Sequence, residues 1–426
     1  MEKFIIEGGY PLSGEVTPSG NKNAVLPILA ACLLTKEPVI LHNVPDIQDV
    51  QTMRKLIMSL GVKIDDLGSG NWRVHAKEVR PTDLDPDLCR KIRASILLAG
   101  PMTARSGELM LPPPGGDVIG RRRVDTHLLA LEKLGATIIY DRSFTFSAKG
   151  LSGADILLDE ASVTATENAI MACVLAKGHS VIRNAASEPH VQELCQFLTT
   201  LGAKIIHIGS NTLKIEGVDE LHGGEFTVGP DYLEVVSFIG AAAVTNGSIT
   251  IHNAGVKYLD MIKLVFGRLG VTWDEKGDDI FVPNNQKLVI EPDLGGAIPT
   301  IGVMPWPSFP TDLMSIAIVV ATQSKGTVLF HDWMYPSRMF FTDKLVGMGA
   351  QIVLCDPHRC MVQGPTSLSG EKMESPDIRA GMALVLASLS ASGKSVIRNV
   401  NQIDRGYEQV DIKLKNLGAK IERQKE

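Results

Sequence analysis

Cysteine is scarce in this chain. Six stand among 426 residues, at positions 32, 89, 173, 195, 355 and 360, too few and too scattered for a disulfide scaffold and suited to a reducing compartment. Long apolar runs are missing as well, since none approaches the roughly 18 residues that span a bilayer. The opening MEKFIIEGGY lacks the basic region, apolar core and cleavage site of a leader, so the expectation is a soluble, cytoplasmic protein. Nor does one sign of charge dominate. With 42 Lys and Arg against 48 Asp and Glu, the formal net charge is -6, which argues against a nucleic-acid or membrane-surface binder. An anion site must then be a local concentration of Arg and Lys. Zinc spacing is absent too: Cys355 and Cys360 flank Asp356 and His358 with no second Cys/His pair, so this stretch reads as a hairpin turn. No motif asks for a metal or an organic cofactor, and none demands more than a monomer.

What remains is globular, with 44% hydrophobic and 21% charged residues, and long enough for two or three domains. One unit is written six times. A helical segment ends in Leu-Gly-Ala or a near variant and enters a short strand at Leu60-Gly61-Val62, Leu134-Gly135-Ala136, Leu201-Gly202-Ala203, Leu269-Gly270-Val271, Met348-Gly349-Ala350 and Leu417-Gly418-Ala419. The period is roughly 70 residues, longer than common solenoid repeats, and glycine sits where a helix C-cap needs a left-handed residue. Earlier in each unit comes a helix of small apolar residues with a polar opening, such as Asn23-Ala24-Val25-Leu26, Glu167-Asn168-Ala169-Ile170 or Ala380-Gly381-Met382-Ala383. Such helices suit domain interiors, whereas Val410 to Asn416 alternates as a surface helix should. Each unit reads as strand, helix, strand, helix, strand in an α+β arrangement, three units to a domain. The halfway hinge falls near Gly229-Pro230, and the strand Lys3 to Glu7 is free to pair with the second half.

Leu111 to His127, LPPPGGDVIGRRRVDTH, joins three prolines, two glycines, an acid and three arginines. It reads either as a lid hinged at Gly115 and Gly116 that carries Asp117 into a cationic pocket, or as a surface turn with a solvated basic run. Ser19-Gly20-Asn21-Lys22-Asn23 opens the first buried-type helix, as an anion site or as a Ser cap with an exposed Lys. Arg93, Arg338, Arg379 and Arg405 are each placed at the start of a helical segment, where an isolated cation opposes the helix dipole unless an anion is near. Asp312 follows Phe309-Pro310-Thr311, as an N-cap or as a base. An acid and a base on opposite halves, with cations from both, is the set expected for proton transfer around a multiply anionic substrate.

With these motifs in their order along essentially the whole chain, the sequence resembles the UDP-N-acetylglucosamine 1-carboxyvinyltransferase family of enolpyruvyl transferases. The motifs are Ser19-Gly20-x-Lys22-Asn23, Arg93-Ala94-Ser95, Pro114-Gly115-Gly116-x-x-Ile119-Gly120-x-Arg122, Phe309-Pro310-Thr311-Asp312 and Ile403-Asp404-Arg405-Gly406-Tyr407-Glu408. The resemblance implies two inside-out α/β-barrel domains of three units each, residues 22–229 with the loop 111–127, and residues 1–21 with 230–426. It implies a transferase of peptidoglycan synthesis, and so of cell wall biogenesis, without cofactor. Phosphoenolpyruvate would lie among Lys22, Asn23, Arg122, Arg338, Arg379 and Arg405. The nucleotide sugar would meet Asn23, Arg93, the run Arg122, Arg123, Val124, Asp125 and Thr126, then Ser162, Val163, Asp312 and Met334. By the same resemblance Asp312 takes the proton of the sugar 3-hydroxyl while the loop acid protonates C3 of phosphoenolpyruvate.

Asp117 stands where most members carry the cysteine alkylated by fosfomycin, which implies an active but fosfomycin-insensitive enzyme. A free Asp has a pKa of about 3.9, so an Asp that must donate its proton implies turnover falling towards alkaline pH. Arg123 replaces a usual proline and Thr126 a usually larger residue, which bears on the uracil end of the acceptor. The alternatives are an enolpyruvyl transferase using another uridine nucleotide, the shikimate-pathway relative, whose signatures do not match, and an inactive UDP-sugar-binding paralogue.

Overall fold

The structure is a computed structural model that describes residues 2–81, 84–116 and 123–425. The described chain forms two compact units, one of residues 20–116 and 123–229, the other of residues 2–19 and 230–425. Among the described residues the chain passes between units after Ser19 and after Gly229.

Among the described residues there are six sheets, five of four strands and one of three. One sheet shows the plan. Strand Asp155–Leu157 runs parallel to His179–Arg183, which is antiparallel to Thr212–Glu216, and Lys204–Ile206 completes a hairpin. The helix Val163–Cys173 makes the crossover between the parallel pair, and the helix Pro189–Thr200 leads into the hairpin. The same order recurs in all five four-stranded sheets. In the three-stranded sheet Glu108–Leu111 pairs with Ser143–Ser147, and the parallel edge strand is missing among the described residues.

The Leu-Gly marks fall at the entry to each hairpin. Gly61, Gly135, Gly202, Gly270, Gly349 and Gly418 all adopt left-handed φ, between 87° and 103°, angles that a side chain resists. The residue before each is buried, so the mark caps a helix with glycine and pins it with Leu or Met. Strand Glu2–Glu7 lies antiparallel between Lys394–Arg398 and Lys420–Lys425. The first residues of the chain thus complete its last repeat.

The helices are inside. Tyr232–Val244, Met314–Gln323 and Ile378–Ser390 are buried almost all round and pack on one another. In the other unit Lys22–Ala31 and Val163–Cys173 are equally enclosed. The strands alternate buried and exposed residues, as in Asn71–His75 and Lys394–Arg398, so each sheet covers the helical interior with one face. The arrangement is inside-out, but no closed barrel forms among the described residues, because the three sheets of a unit share no strand pairing.

Candidate functional site

In the unit of residues 20–229, Lys22 begins a buried helix whose N-cap is Asn21, its side chain accepting from the Asn23 amide at 2.9 Å. Ser19 is therefore not the cap. Nor is Lys22 exposed: its ammonium lies 2.6 Å from Asp49 Oδ2, with both side chains under a tenth exposed. A cation held this far from water needs its carboxylate, and Asp49 fixes where the ammonium points. Asp49 comes from the first turn of the helix Gln48–Ser59, a partner that no local motif announced.

A second cluster of the same unit gathers Arg93, Arg123, Asp125 and Thr126 around Asp159. Arg93 Nη2 donates to the Arg123 carbonyl at 2.6 Å. Arg123 bonds Asp125 Oδ2 at 3.2 Å and Asp159 Oδ2 at 3.0 Å, and Thr126 Oγ1 donates to Asp159 Oδ1 at 2.7 Å. Arg123 and Thr126 thus share one carboxylate, a partner that sequence reading missed. Val124 precedes the helix Asp125–Lys133, and Ser162 caps the helix that Val163 opens, accepting from Ala165 at 3.5 Å. Behind them His127 is buried between Thr164, 3.1 Å from Nε2, and Asn168, 2.8 Å from Nδ1. Burial, and secondarily the Arg93 charge, lower its pKa to about 3, so it is neutral at ordinary pH.

In the other unit Asp312 occupies the short 3-10 turn Thr311–Leu313 before the helix Met314–Gln323 and caps neither with its side chain. Its carboxylate accepts from Arg338 Nη2 at 2.8 Å and Arg379 Nε at 3.3 Å. Both arginines are 5% exposed. Burial works against the Arg338 charge, but Asp312 and Asp377 more than offset it and hold its pKa above the usual value. Arg338 Nε and Arg379 Nη1 have no hydrogen-bond partner among the described residues. Buried guanidinium donors left over after a carboxylate has been bound are suited to a further anion. Asp332, fully buried, accepts from Thr311 Oγ1 at 2.5 Å and from the Met334 amide at 3.0 Å, tying the Asp312 turn to Met334. Arg379 also stacks over the Tyr407 ring at 5.4 Å, and Tyr407 Oη meets Ser237 Oγ at 2.9 Å.

Two of the arginines are not at helix starts. Arg338 lies in a turn before the helix Thr342–Gly347, and Arg405 ends the 3-10 helix Val400–Arg405, where the backbone carbonyls favour a cation. Its Nη1 donates to Gln402 Oε1 at 3.0 Å. The hinge reading of Gly115 also changes. Its amide bonds the Cys89 carbonyl at 3.1 Å, and a Cβ there would fall 1.7 Å from the Arg90 carbonyl oxygen, so Gly115 is an anchor. Gly116 adopts φ 107°. Asp117 and Arg122, with residues 118–121 between them, lie outside the described residues.

Comparison with known proteins is consistent across sequence and structure. Residues 6–414 match the family model of EPSP synthase (3-phosphoshikimate 1-carboxyvinyltransferase). UDP-N-acetylglucosamine 1-carboxyvinyltransferase of Bradyrhizobium diazoefficiens is 56% identical, over 99% of this chain and 98% of its own. The enzyme of that name from Treponema denticola is 54% identical over 99% of both. Among solved structures, the enolpyruvyl transferase NikO of Streptomyces tendae superposes with a TM-score of 0.88 at 25% identity, covering 99% of each chain. EPSP synthase of Acinetobacter baumannii, at 17% identity and a TM-score of 0.76 over both whole chains, shares the fold. The match to the family model over most of the chain, full-length identity above one half and the shared fold place this chain in the enolpyruvyl transferase family of enzymes, on the UDP-N-acetylglucosamine 1-carboxyvinyltransferase branch.

Proposed function

We propose that this enzyme transfers the enolpyruvyl group of phosphoenolpyruvate to the 3-hydroxyl of UDP-N-acetylglucosamine and releases phosphate, the entry step to peptidoglycan precursors. The observation that carries the reading is Asp312, an acceptor held between two buried guanidiniums that still have donors to offer an anion. Asp312 takes the proton from the sugar hydroxyl as its oxygen bonds to C2 of phosphoenolpyruvate, and Asp117 gives a proton to C3. The tetrahedral adduct then loses a proton from C3, and the C2–O bond to phosphate breaks. Lys22, Asn23, Arg122, Arg338, Arg379 and Arg405 bind phosphoenolpyruvate and meet the charge that builds on the phosphate. Arg93, the run Arg122 to Thr126, Ser162, Val163 and Met334 hold the nucleotide sugar with Asn23 and Asp312. The two units are the two domains of the reaction, and a monomer in the cytoplasm suffices for it.

The test is phosphate release from phosphoenolpyruvate with UDP-N-acetylglucosamine, beside UMP and shikimate 3-phosphate as alternative acceptors. Release with the nucleotide sugar alone is expected. Tight binding of the sugar without phosphate release would instead make the chain an inactive UDP-sugar-binding paralogue.

A further inference from the structure

Asn168, in the polar opening Glu167-Asn168-Ala169-Ile170, has no part in the proposed reaction, yet both ends of its side-chain amide are engaged. It is fully buried in the helix Val163–Cys173. Its Oδ1 accepts from the Gly100 amide at 2.8 Å, while Nδ2 donates to the Ile96 carbonyl at 2.8 Å and meets His127 Nδ1 at 2.8 Å. The backbone decides which end is which. A peptide N–H only donates and a carbonyl only accepts, so the Asn168 oxygen faces Gly100 and its NH2 group faces Ile96 and His127.

The same logic passes on to the ring. His127 Nδ1 must accept from Asn168, and a protonated ring would set two donors against each other there, so the imidazole proton is on Nε2. Nε2 then donates to Thr164 Oγ1 at 3.1 Å. Ile96 follows Arg93 on the 3-10 helix Arg93–Leu98, His127 follows Thr126 in the helix Asp125–Lys133, and Thr164 follows Ser162 and Val163. The relay thus joins three stretches of chain, each carrying residues assigned above to the nucleotide sugar. Resting on that assignment, we infer that His127, its tautomer set by Asn168, is a positioning residue that holds the stretch Arg123 to Thr126 against the Ser162 turn in the register the nucleotide sugar needs.

Asp159 ties the same two stretches from outside, through Arg123 and Thr126. The Arg123 and Asp159 side chains are 42% and 38% exposed, and an ion pair so open to water restrains little. His127 and Asn168 are almost completely buried, where a hydrogen bond is stronger and its loss leaves a polar group unsatisfied. The inner tie is therefore the stiffer one. Its hydrogen bonds are confined to these stretches, so loosening it should fall on the nucleotide sugar. A purely structural role would instead lower the fraction of folded enzyme, and with it the apparent kcat, leaving both KM values in place.

The experiment is steady-state kinetics and calorimetric UDP-N-acetylglucosamine binding on the full chain for H127L, H127Q, T164V, T164S, H127L/T164V and R93A, with thermal unfolding of each. H127L and T164V are each expected to raise KM and Kd for the nucleotide sugar by on the order of tenfold, the size of a coupled pair, with KM for phosphoenolpyruvate within about twofold of the parent. T164V, at a half-buried position, keeps the test open should H127L fail to fold. H127Q, whose amide offers a donor near the Nε2 position, and T164S, which keeps the hydroxyl, are expected to recover most of the affinity. The double variant should bind no worse than the weaker single. Nitrogen NMR of the labelled imidazoles, assigned by difference from H127Q, is expected to show His127 protonated at Nε2 alone. Equal losses for both substrates, unchanged sugar affinity in T164V, loss in T164V with none in a folded H127L, full additivity, or a proton on Nδ1 would each overturn the inference while the function stands. Should the parent bind no nucleotide sugar, or R93A leave its affinity unchanged, the assignment of these stretches fails and the inference goes with it.

Discussion

Arg338 donates from Nη2 to Asp312 Oδ1 at 2.8 Å, and the same carboxylate accepts from Arg379 Nε through Oδ2 at 3.3 Å. These contacts fix the orientation of the carboxylate proposed to meet the sugar hydroxyl. Asp312→Asn keeps the shape, removes the base and turns one bond into an amide facing a cation. Loss of a positioned general base lowers turnover by on the order of 10²- to 10⁴-fold, and we expect phosphate release to fall in that range while nucleotide-sugar binding by calorimetry persists. Near-parental turnover in Asp312→Asn would remove Asp312 from the base role.

Much of this was legible in the chain itself, for reasons that are local. A glycine forced to left-handed φ after a buried Leu or Met writes the same two letters at every hairpin entry, so all six repeats could be counted. Small apolar residues at helical spacing marked the interior helices for the same reason. The partner acids were not legible. Asp49 meets Lys22, Asp159 meets Arg123 and Asp332 meets Thr311 only once distant turns are folded together. No spacing rule encodes such pairs. Arg405 is expected at a helix start from its sequence, whereas it ends a 3-10 turn begun at Val400. The sequence suggests freedom at Gly115, but there the missing Cβ lets the backbone of residues 89 and 90 approach.

Fosfomycin should leave this enzyme active. Alkylation by an epoxide requires a thiolate, and the loop offers Asp117 instead. Elsewhere burial pushes the thiols of Cys89, Cys173, Cys195 and Cys360 up to about 12, and that of Cys32 higher still. Cys355 is the one exposed cysteine. Pre-incubation with the drug is expected to leave phosphate release unchanged in the parent and to inactivate Asp117→Cys with time. Time-dependent loss in the parent would contradict this. With Asp117 as proton donor, turnover should also decline from pH 6 towards 9, and a flat profile would assign the proton to another group.

His127 should make stability depend on acid pH. Burial lowers its folded pKa to about 3, from the ordinary imidazole value of 6.5. Between those values the unfolded chain binds a proton that the folded chain does not. Stability contributed by neutral His127 is therefore complete above pH 6.5 and is lost as pH falls towards 3, at up to about 1.4 kcal/mol per pH unit. Urea unfolding of the parent and His127→Gln from pH 4 to 7 isolates this share, because other titrating groups are common to both. The parent curve is expected to be steeper by about one proton. Parallel curves would mean that His127 takes up its proton alike in the folded and the unfolded chain.

Buried Glu167 should show the opposite sign. Burial first, then the neighbouring Glu188, raise its pKa well above the ordinary value, and its Oε1 lacks a hydrogen-bond partner among the described residues. The folded protein then keeps a proton that the unfolded chain releases above about pH 4.5, so its stabilising effect fades as pH rises. Glu167→Gln mimics the protonated acid permanently. It is expected to match the parent near pH 5 and to exceed it at pH 8 by on the order of 1 kcal/mol or more. A variant less stable at both values would show that Glu167 folds as a carboxylate.

Gly115→Ala tests whether the catalytic loop is anchored or merely hinged. The new Cβ would lie 1.7 Å from the Arg90 carbonyl oxygen, a contact only backbone movement can relieve, and the movement strains the Gly115 amide bond to Cys89. Overpacking of this kind costs about 1–3 kcal/mol. Asp117, the proposed proton donor, follows two residues later in the chain, so a backbone shift at Gly115 is expected to reach it. A displacement of about 1 Å at a reacting group can cost on the order of 10²-fold in rate. We therefore expect a lower Tm together with a kcat loss of that order, while nucleotide-sugar affinity changes less. Gly116→Ala meets a different obstacle, a left-handed φ of 107°, and should lower kcat without breaking the anchor at Cys89. If Gly115→Ala instead kept parental Tm and kcat, the segment would be a free hinge, with the bond to Cys89 incidental to catalysis.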